Sequence, residues 1–256
     1  MRTPRLPLGT ALLLLALVGC ASPPGRNSGS EQDPAFLNAQ LGLGYLRQGN
    51  HEVALDKLKR ALEHDSRQPD ANHYIAVLYQ RLGETKQADR HFRTALSVSD
   101  DNTSLYNNYG VFLCDEGRFK EAERYFLKVL EDPLYARPAD VKENIGLCAY
   151  RDGDLPKAEK YLHEALEMDA RRPAVLLGMA QIAFAQEQYP RAHSYLRDHL
   201  ELARHTPESL WLGVQLAREL GKRDEFASYS LLLKAQYPDS PEASLLKDLE
   251  SKRANR

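Results

Sequence analysis

Several residues of the 256-residue chain could take part in chemistry, but none belongs to a complete catalytic motif. His163 and Glu164 begin like the HExxH motif of zinc enzymes, but Glu167 occupies the place of the second histidine. Gly42 and Gly44 begin like a dinucleotide-binding loop, but the third glycine is absent and the surrounding pattern is helical. The sequence also lacks GxSxG, Walker A and CxxC motifs. It therefore predicts a protein that is not an enzyme and that holds no metal ion and no cofactor.

Cys20 is the residue for which the sequence indicates the most definite chemistry, which is lipid attachment. It follows a start that carries Arg2 and Arg5, and then an apolar run over residues 8–18. That run is short for a bilayer span and is typical of a signal peptide that is removed after export. The sequence LVGC at residues 17–20 resembles the lipobox of bacterial lipoproteins, which implies cleavage before Cys20, diacylglycerol on Cys20 and acylation of the new N-terminus. The alternative is an ordinary signal peptide with an incidental cysteine.

The segment after Cys20 is predicted to be a tether between the lipid and the folded part. We assign residues 1–19 to the lipoprotein signal peptide and residues 20–33 to the lipidated cysteine and the flexible tether, which is rich in proline, glycine and serine. In lipoproteins of Gram-negative bacteria, an aspartate after the lipidated cysteine is typical of inner-membrane retention. Ala21 therefore implies the periplasmic face of the outer membrane. Asp33 and Pro34 are predicted to be the N-cap and first residue of a helix.

The rest of the chain repeats one pattern about every 34 residues, which is the period of the tetratricopeptide repeat (TPR). Each unit has a small residue on a first helix, namely Gly42, Ala76, Gly110, Gly146, Ala180 and Gly213. Each second helix has a small residue and, four places later, a large one: Ala54 with Leu58, Ala88 with Phe92, Ala122 with Phe126, Ala158 with Leu162, Ala192 with Leu196, and Ala227 with Leu231. Tyr45 and Tyr79 recur on the first helices, and a glycine marks every turn except the fifth, where Glu187 stands.

The periodicity predicts an all-α fold, a right-handed superhelix of six TPR hairpins with a C-terminal capping helix. The repeats are placed at residues 35–68, 69–102, 103–138, 139–172, 173–205 and 206–238. Residues 239–256 are predicted to form the capping helix and a tail, with Ser240 as the N-cap and Leu245, Leu246 and Leu249 turned inward. A frayed tail is the alternative for this last segment.

Two further cysteines lie on the first helices of neighbouring repeats. Cys114 belongs to the third repeat and Cys148 to the fourth. An oxidising compartment would allow a disulfide between them. Their positions within the repeat differ by two residues, which is an unfavourable offset, so the sequence favours two small buried thiols over a disulfide.

The charge of the chain argues against a nucleic-acid partner. The net charge is −2, whereas proteins that bind nucleic acids usually show a strong basic bias. Charges of both signs are interspersed, as on a solvated helical surface. The eight histidines occupy unrelated repeat positions and are predicted to be mostly solvent-facing. No small-molecule substrate is indicated, so the remaining function is the binding of a protein.

Resemblance to other TPR proteins places a binding groove along the first helices. The groove positions and their apolar neighbours are Leu43, Leu46, Val77, Val111, Leu147, Leu177, Phe184 and Val214. They predict a largely apolar groove that suits an amphipathic helix or an extended apolar peptide. The alternative is that several of them pack between repeats. Cations are few, mainly Arg47, Arg81 and Arg151, so a site that clamps a peptide carboxylate is not expected.

Four stretches of the chain carry a closer resemblance: AQLGLGYLRQGN at 39–50, NNYGVFLCDEGRFKEA at 107–122, VKENIGL at 141–147 and ASYSLLLKAQYPDSPE at 227–242. They resemble the PilF/PilW family of outer-membrane TPR lipoproteins of type IV pilus biogenesis. The resemblance implies a pilotin, which binds subunits of the pilus secretin, PilQ, and helps them to reach the outer membrane and assemble there.

Two other functions remain open at this point. The chain could be a TPR lipoprotein that serves a β-barrel assembly or polysaccharide-export machine, or one that positions a peptidoglycan enzyme. The partner that co-purifies from solubilised envelopes would distinguish these functions.

Overall fold

The computed structural model of the protein describes residues 33–99 and 101–254, which form thirteen α-helices and no strand. In chain order the helices are α1 (Pro34–Arg47), α2 (His51–His64), α3 (Pro69–Arg81), α4 (Thr85–Leu96), α5 (Thr103–Asp115), α6 (Phe119–Leu130), α7 (Pro138–Asp152), α8 (Leu155–Met168), α9 (Pro173–Ala185), α10 (Tyr189–Leu202), α11 (Pro207–Glu219), α12 (Arg223–Gln236) and α13 (Pro241–Ala254). The predicted signal peptide, Cys20 and the tether up to residue 32 lie outside the described residues.

The first twelve helices pair into six consecutive hairpins, from α1 with α2 to α11 with α12. The first helices of successive hairpins lie side by side along the stack, and each second helix also packs on the first helix of the next hairpin. The last helix, α13, packs against α11 and α12. The predicted all-α architecture of six stacked hairpins followed by a terminal helix is confirmed.

Local chemistry sets where the helices begin and where the hairpins turn. The side chain of Asp33 accepts a hydrogen bond from the backbone N–H of Ala35 at 3.0 Å, and Pro34 is the first residue of α1, as predicted. The turn glycines have positive φ, for example 72° at Gly117, which residues with a Cβ adopt reluctantly. Glu187 adopts φ 60° in the fifth hairpin and keeps the same turn geometry without glycine.

Small residues let the two helices of a hairpin approach closely. The predicted second-helix alanines of the first five hairpins are fully buried, namely Ala54, Ala88, Ala122, Ala158 and Ala192. A Cβ added to Gly42 would lie 2.5 Å from Cγ of Leu58, and one added to Gly110 would lie 2.6 Å from Cε1 of Phe126. Each large residue therefore occupies the space that the opposite glycine leaves, which is why the small and large positions repeat together.

The sixth hairpin differs from the prediction by one residue of register. Ala227 is exposed and Leu231 is 68% exposed, so neither is the inward pair expected on α12. The inward positions of α12 are held instead by Phe226, Ser230 and Leu233. The predicted small–large pair of this hairpin is therefore wrong.

The shift originates on α11, where Val214 and not Gly213 stands at the helix crossing. Val214 is fully buried, and Gly221 follows it by seven residues, the spacing that separates the crossing residue from the turn glycine in the first four hairpins. Gly213 lies one position earlier, where a Cβ would come within 2.8 Å of Tyr229. The step from Ala180 is therefore 34 residues, as between the first repeats.

The terminal helix turns inward two of the three leucines predicted to face the stack. The hydroxyl of Ser240 accepts a hydrogen bond from the N–H of Ala243 at 3.1 Å, so Ser240 caps α13 as expected. Ala243 and Leu246 are fully buried and Leu249 packs beside them, but Leu245 is 48% exposed. The inward residues follow a three-residue spacing, and Leu245 lies about 100° around the helix from Leu246. The prediction is wrong for Leu245.

Cys114 and Cys148 form a disulfide between α5 and α7, with their Cα atoms 5.8 Å apart. The preference for two free thiols is therefore wrong. Equal positions within a repeat are not required for bridging, because neighbouring first helices can be displaced along and rotated about their axes. This Cα separation lies within the range that disulfides need. The bond joins the third hairpin to the fourth at the point where the repeat is two residues longer.

Candidate binding groove

A groove runs along the first helices of the first four hairpins as three adjoining pockets. The N-terminal pocket, of about 490 Å³, is lined by Leu43, Leu46, Arg47, His73, Tyr74, Val77, Arg81, Asn102, Ser104, Asn107, Asn108, Tyr135 and Arg137. The middle pocket, of about 380 Å³, is lined by Val77, Gln80, Arg81, Asn108, Val111 and Asp115. The disulfide pocket, of about 180 Å³, is lined by Val111, Cys114, Asp115, Phe126, Asn144, Leu147, Cys148 and Arg151. Because neighbouring pockets share residues, they form one continuous groove.

Four of the predicted groove residues form a row along this groove. Leu43, Val77, Val111 and Leu147 each follow the crossing residue of their first helix by one position and are half-buried. Leu46 also lines the N-terminal pocket, but it is only 2% exposed and belongs mainly to the core. The structure thus brings together the predicted apolar residues of hairpins one to four.

The predicted residues of the last two hairpins do not line these three pockets. Leu177 and Phe184 are half-buried in the core of the fifth hairpin, where the ring centroid of Phe184 lies 5.5 Å from that of Tyr189. Val214 is fully buried between α11 and α12, because it stands at the helix crossing, so it offers no surface to a partner. The prediction for Val214 is wrong, and the position after it is held by Gln215.

Polar and cationic side chains line much of the groove, which is less apolar than the sequence suggests. Arg47, Arg81 and Arg137 surround the N-terminal pocket together with asparagines from α5 and its N-cap. Arg137 is the N-cap of α7 and ends the two-proline corner between the third and fourth hairpins. It lines the pocket together with Ser104 and Asn107 of α5. The same corner supplies Tyr135, which lines the pocket and also packs on the core.

Hydrogen bonds between first helices fix the polar side chains at the wall of the groove. The amide Nδ2 of Asn108 donates to Nε2 of His73 at 2.8 Å, and the amide of Asn144 donates to Asn107 at 3.0 Å. Burial lowers the pKa of His73 to about 4, so the ring is neutral at pH 7.

The buried histidines correct the expectation that these residues mostly face solvent. His73 is 2% exposed and His199 is 4% exposed. Nδ1 of His199 donates to the carbonyl of Pro173 at 2.9 Å, which joins α10 to the start of α9. In the sequence, His199 stands where three of the other repeats have alanine, and that position was the available signal of its burial.

The described residues contain no group of three or more histidine, cysteine, aspartate or glutamate side chains placed to hold a metal ion. Within the same ranges, no helix has the length and apolar character that a membrane span requires. The side chains of the groove offer guanidinium groups, amides and apolar surface. This arrangement suits noncovalent binding of a polypeptide segment.

Comparison with known proteins agrees with the repeat architecture. Family models described as tetratricopeptide repeat match residues 39–86, 74–139, 113–174 and 149–212. The chain is therefore a TPR protein, the class that the helical hairpins and the groove define.

Similarity to individual proteins narrows the class. The chain is 35% identical over 237 residues to type IV pilus assembly protein PilF of Pseudomonas aeruginosa, covering 90% of this chain and 93% of that protein. A solved structure of P. aeruginosa PilF superposes with a TM-score of 0.74 over 86% of this chain and 97% of PilF, again at 35% identity. PilW, a widely conserved type IV pilus biogenesis factor, superposes with a TM-score of 0.74 at 30% identity over 83% of this chain and 97% of PilW. The chain belongs to the PilF/PilW family of type IV pilus biogenesis TPR proteins.

Proposed function

We propose that this chain is a pilotin, an outer-membrane lipoprotein that binds the type IV pilus secretin, PilQ, and promotes its localisation and multimer assembly. The proposal is supported chiefly by the similarity to PilF, which extends over nearly the full length of both chains. The groove on hairpins one to four is the proposed binding surface for a secretin segment. The binding role is noncovalent and needs no cofactor.

The row of half-buried apolar residues supports this choice of surface. Leu43, Val77, Val111 and Leu147 come from four successive first helices, so a segment laid along the groove can contact each hairpin in turn. Rigid helices hold these side chains in place before binding, which reduces the entropy that binding must overcome. A helical or extended segment of the secretin fits this spacing.

The lipid anchor is the second part of the proposal. Cys20 carries it, and residues 21–33 form the tether between the lipid and α1. Several acyl chains on one residue give stable membrane attachment, at about 0.8 kcal/mol for each buried CH₂ group. The tether then keeps a bound secretin subunit at a high local concentration next to the membrane.

Binding of PilQ is tested by replacing Val111, which lines both the middle pocket and the disulfide pocket. Val111→Arg places a long charged side chain in the groove, and Leu127→Arg is the matched control. Leu127 lies on α6 of the same hairpin, is 38% exposed and lines none of the three pockets. From detergent-solubilised envelopes, the wild-type chain and Leu127→Arg should capture PilQ, whereas Val111→Arg should capture much less.

Equal capture of PilQ by both variants would exclude the groove as the binding surface. Recovery of β-barrel assembly factors, polysaccharide-export proteins or a peptidoglycan enzyme in place of PilQ would assign the chain to a different envelope machine. Circular dichroism and thermal unfolding of both variants check that each keeps the helical stack.

Lipidation is tested separately with Cys20→Ser. The variant should leave the outer membrane and appear in the periplasm or inner membrane, and surface pili should decrease. Unchanged outer-membrane fractionation of Cys20→Ser would contradict the lipid assignment, whatever the outcome of the PilQ capture.

A further inference from the structure

Two arginines of the N-terminal pocket carry charges that no carboxylate balances. Arg47 and Arg81 hold the same place in the first and second hairpins, five residues after the crossing residue. Among the described residues, no aspartate or glutamate forms an ion pair with either guanidinium. Arg81 Nη1 donates one hydrogen bond, to the carbonyl of Leu46 at 3.3 Å. Most of the donors on these two side chains are therefore available.

The equivalent residues of the next two hairpins balance each other. Arg151 Nη1 lies 2.7 Å from Asp115 Oδ1, and the amide of Gln80 donates to the other oxygen of Asp115 at 2.8 Å. Asp115 is thus already engaged by Arg151 and Gln80 and leaves Arg81 without an ion pair. This contrast distinguishes Arg47 and Arg81 from Arg151, whose charge is balanced within the chain.

The remaining lining of the N-terminal pocket also favours an anion. None of its described lining residues is acidic, and Arg137 adds a third cation. Arg137 shares Asp140 with Arg172: its Nη1 lies 3.3 Å from Asp140 Oδ2, whereas Arg172 Nη2 lies 2.6 Å from Asp140 Oδ1. The acid nearest to Arg137 is therefore largely occupied by another arginine.

Neutral polar groups complete the wall of the pocket. His73 lines the pocket beside Asn108, whose amide Nδ2 lies 2.8 Å from Nε2 of the ring. Burial lowers the pKa of His73 to about 4, so the ring is neutral at pH 7 and the charge of the pocket comes from its arginines.

Contrary to the expectation from the sequence, we propose that the N-terminal pocket binds a peptide segment of the protein partner that carries carboxylate groups. Arg47 and Arg81 pair with the carboxylates, and the Asn108 and His73 side of the pocket accommodates the peptide backbone. Leu43, next to this site, contacts apolar side chains of the same segment. This inference rests on the proposed function, because it names the chemistry of the partner that the groove receives.

A peptide explains the pocket better than a free phosphate or a lipid headgroup. Tyr74, Tyr135 and Val77 line the same space as the arginines, so the site offers apolar and aromatic surface beside its cations. The continuation of the groove toward Val111 also fits a chain of several residues. Guanidinium groups bind carboxylates with paired hydrogen bonds, which gives the site its selectivity.

The proposal is tested by measuring peptide binding to the full chain, purified from envelopes in detergent. The probes are a fluorescein-labelled peptide of aspartate, tyrosine and glycine with an amidated C-terminus, the same peptide with a free C-terminus, and an amidated version with asparagine replacing aspartate. Inorganic phosphate and glycerol 3-phosphate, a soluble analogue of a phospholipid headgroup, serve as the other anions. Fluorescence anisotropy gives the affinity of each peptide. Competition with the labelled peptide reports how strongly the two other anions bind.

The amidated acidic peptide should bind more tightly than its asparagine counterpart, and its affinity should fall as salt is added. Arg47→Gln and Arg81→Gln should each weaken its binding about tenfold, as expected when a charge-assisted contact is lost. Arg124→Gln is the matched control, because Arg124 lies on α6, is 72% exposed and lines none of the three pockets, so this variant should bind the peptide as the wild type does. Thermal unfolding of each variant separates lost binding from lost structure, since an arginine at a helix C-terminus can also stabilise the helix.

Equal binding of the acidic and asparagine peptides would overturn the inference, as would equal losses in Arg47→Gln, Arg81→Gln and Arg124→Gln. Effective competition by phosphate or by glycerol 3-phosphate, without tighter binding of the acidic peptide, would also overturn it. The PilQ capture is independent of this result. Capture of PilQ without selectivity for the acidic peptide would refute only this inference, whereas selectivity without capture of PilQ would refute only the proposed secretin partner.

Discussion

Replacing Gly42 by alanine should destabilise the stack, whereas the same replacement at Gly44 should stabilise it. Both glycines lie inside α1, where alanine is favoured over glycine by about 1 kcal/mol. A Cβ at Gly44 meets no atom within 4 Å, but one at Gly42 lies 2.5 Å from Cγ of Leu58, which is fully buried. Overpacking of a core costs about 1–3 kcal/mol, so Gly42→Ala should lower the free energy of unfolding by up to about 2 kcal/mol.

The assay is thermal and urea unfolding followed by circular dichroism. For a chain of this size, about 1 kcal/mol corresponds to a shift in Tm of about 2–4 °C, so Gly44→Ala should raise Tm by about that amount. A double-mutant cycle isolates the contact, because in a Leu58→Ala background the space opposite Gly42 is empty and Gly42→Ala should become stabilising. An equal loss from Gly42→Ala with and without Leu58 would refute the explanation that small and large residues pack against each other across the hairpin.

Two further predictions concern the third hairpin and the pocket wall. The disulfide between Cys114 and Cys148 spans 34 residues, so the chain-entropy model predicts that its reduction lowers the free energy of unfolding by about 4 kcal/mol. A reductant should shift the midpoint of urea unfolding of the wild-type chain, but not that of a variant in which both cysteines are serine. Burial lowers the pKa of His73 to about 4, so between that pH and about 6.5 the unfolded chain binds a proton that the folded chain does not. Above pH ~6.5, the free energy of unfolding should not depend on the titration of His73. It should fall by about 3 kcal/mol as the pH drops to ~4, because protons then bind the unfolded chain more strongly. His73→Gln should remove this part of the pH profile measured by urea unfolding.

The repeating small and large residues made most of the fold predictable. Ala122 and Phe126, for example, hold the same relative places as Ala88 and Phe92, and the helices cross where these residues meet. Such local spacing depends on contacts within one hairpin, so it can be read from a short stretch of sequence. The caps at Asp33 and Ser240 were predictable for the same reason.

In the sixth hairpin, the pattern of small residues points to the wrong position on α11. Gly213 looked like the crossing residue because it is small, but Val214 occupies the crossing and a larger side chain is tolerated there. On α12, the buried Ser230 holds the place where earlier hairpins have leucine or phenylalanine. The seven-residue distance from Val214 to Gly221 was the signal that could have fixed the register.

Features that depend on contacts between repeats were not predictable from the spacing. The disulfide requires the relative displacement of α5 and α7, which a comparison of repeat positions does not contain. The N-terminal pocket combines Arg47 with Arg137, which are 90 residues apart in sequence and line the same pocket only in the folded stack. The cationic character of the groove follows from that three-dimensional placement.

The most direct test of the proposed pilotin function is the amount of assembled PilQ multimer in the outer membrane of the cells that produce this chain. Deletion of the chain should strongly reduce the multimer, and re-expression of the wild type or of Leu127→Arg should restore it. Val111→Arg should fail to restore it, although the variant reaches the outer membrane in normal amounts. Undiminished PilQ multimer in cells lacking the chain, or full restoration by Val111→Arg, would contradict a pilotin that works through the groove of the first helices.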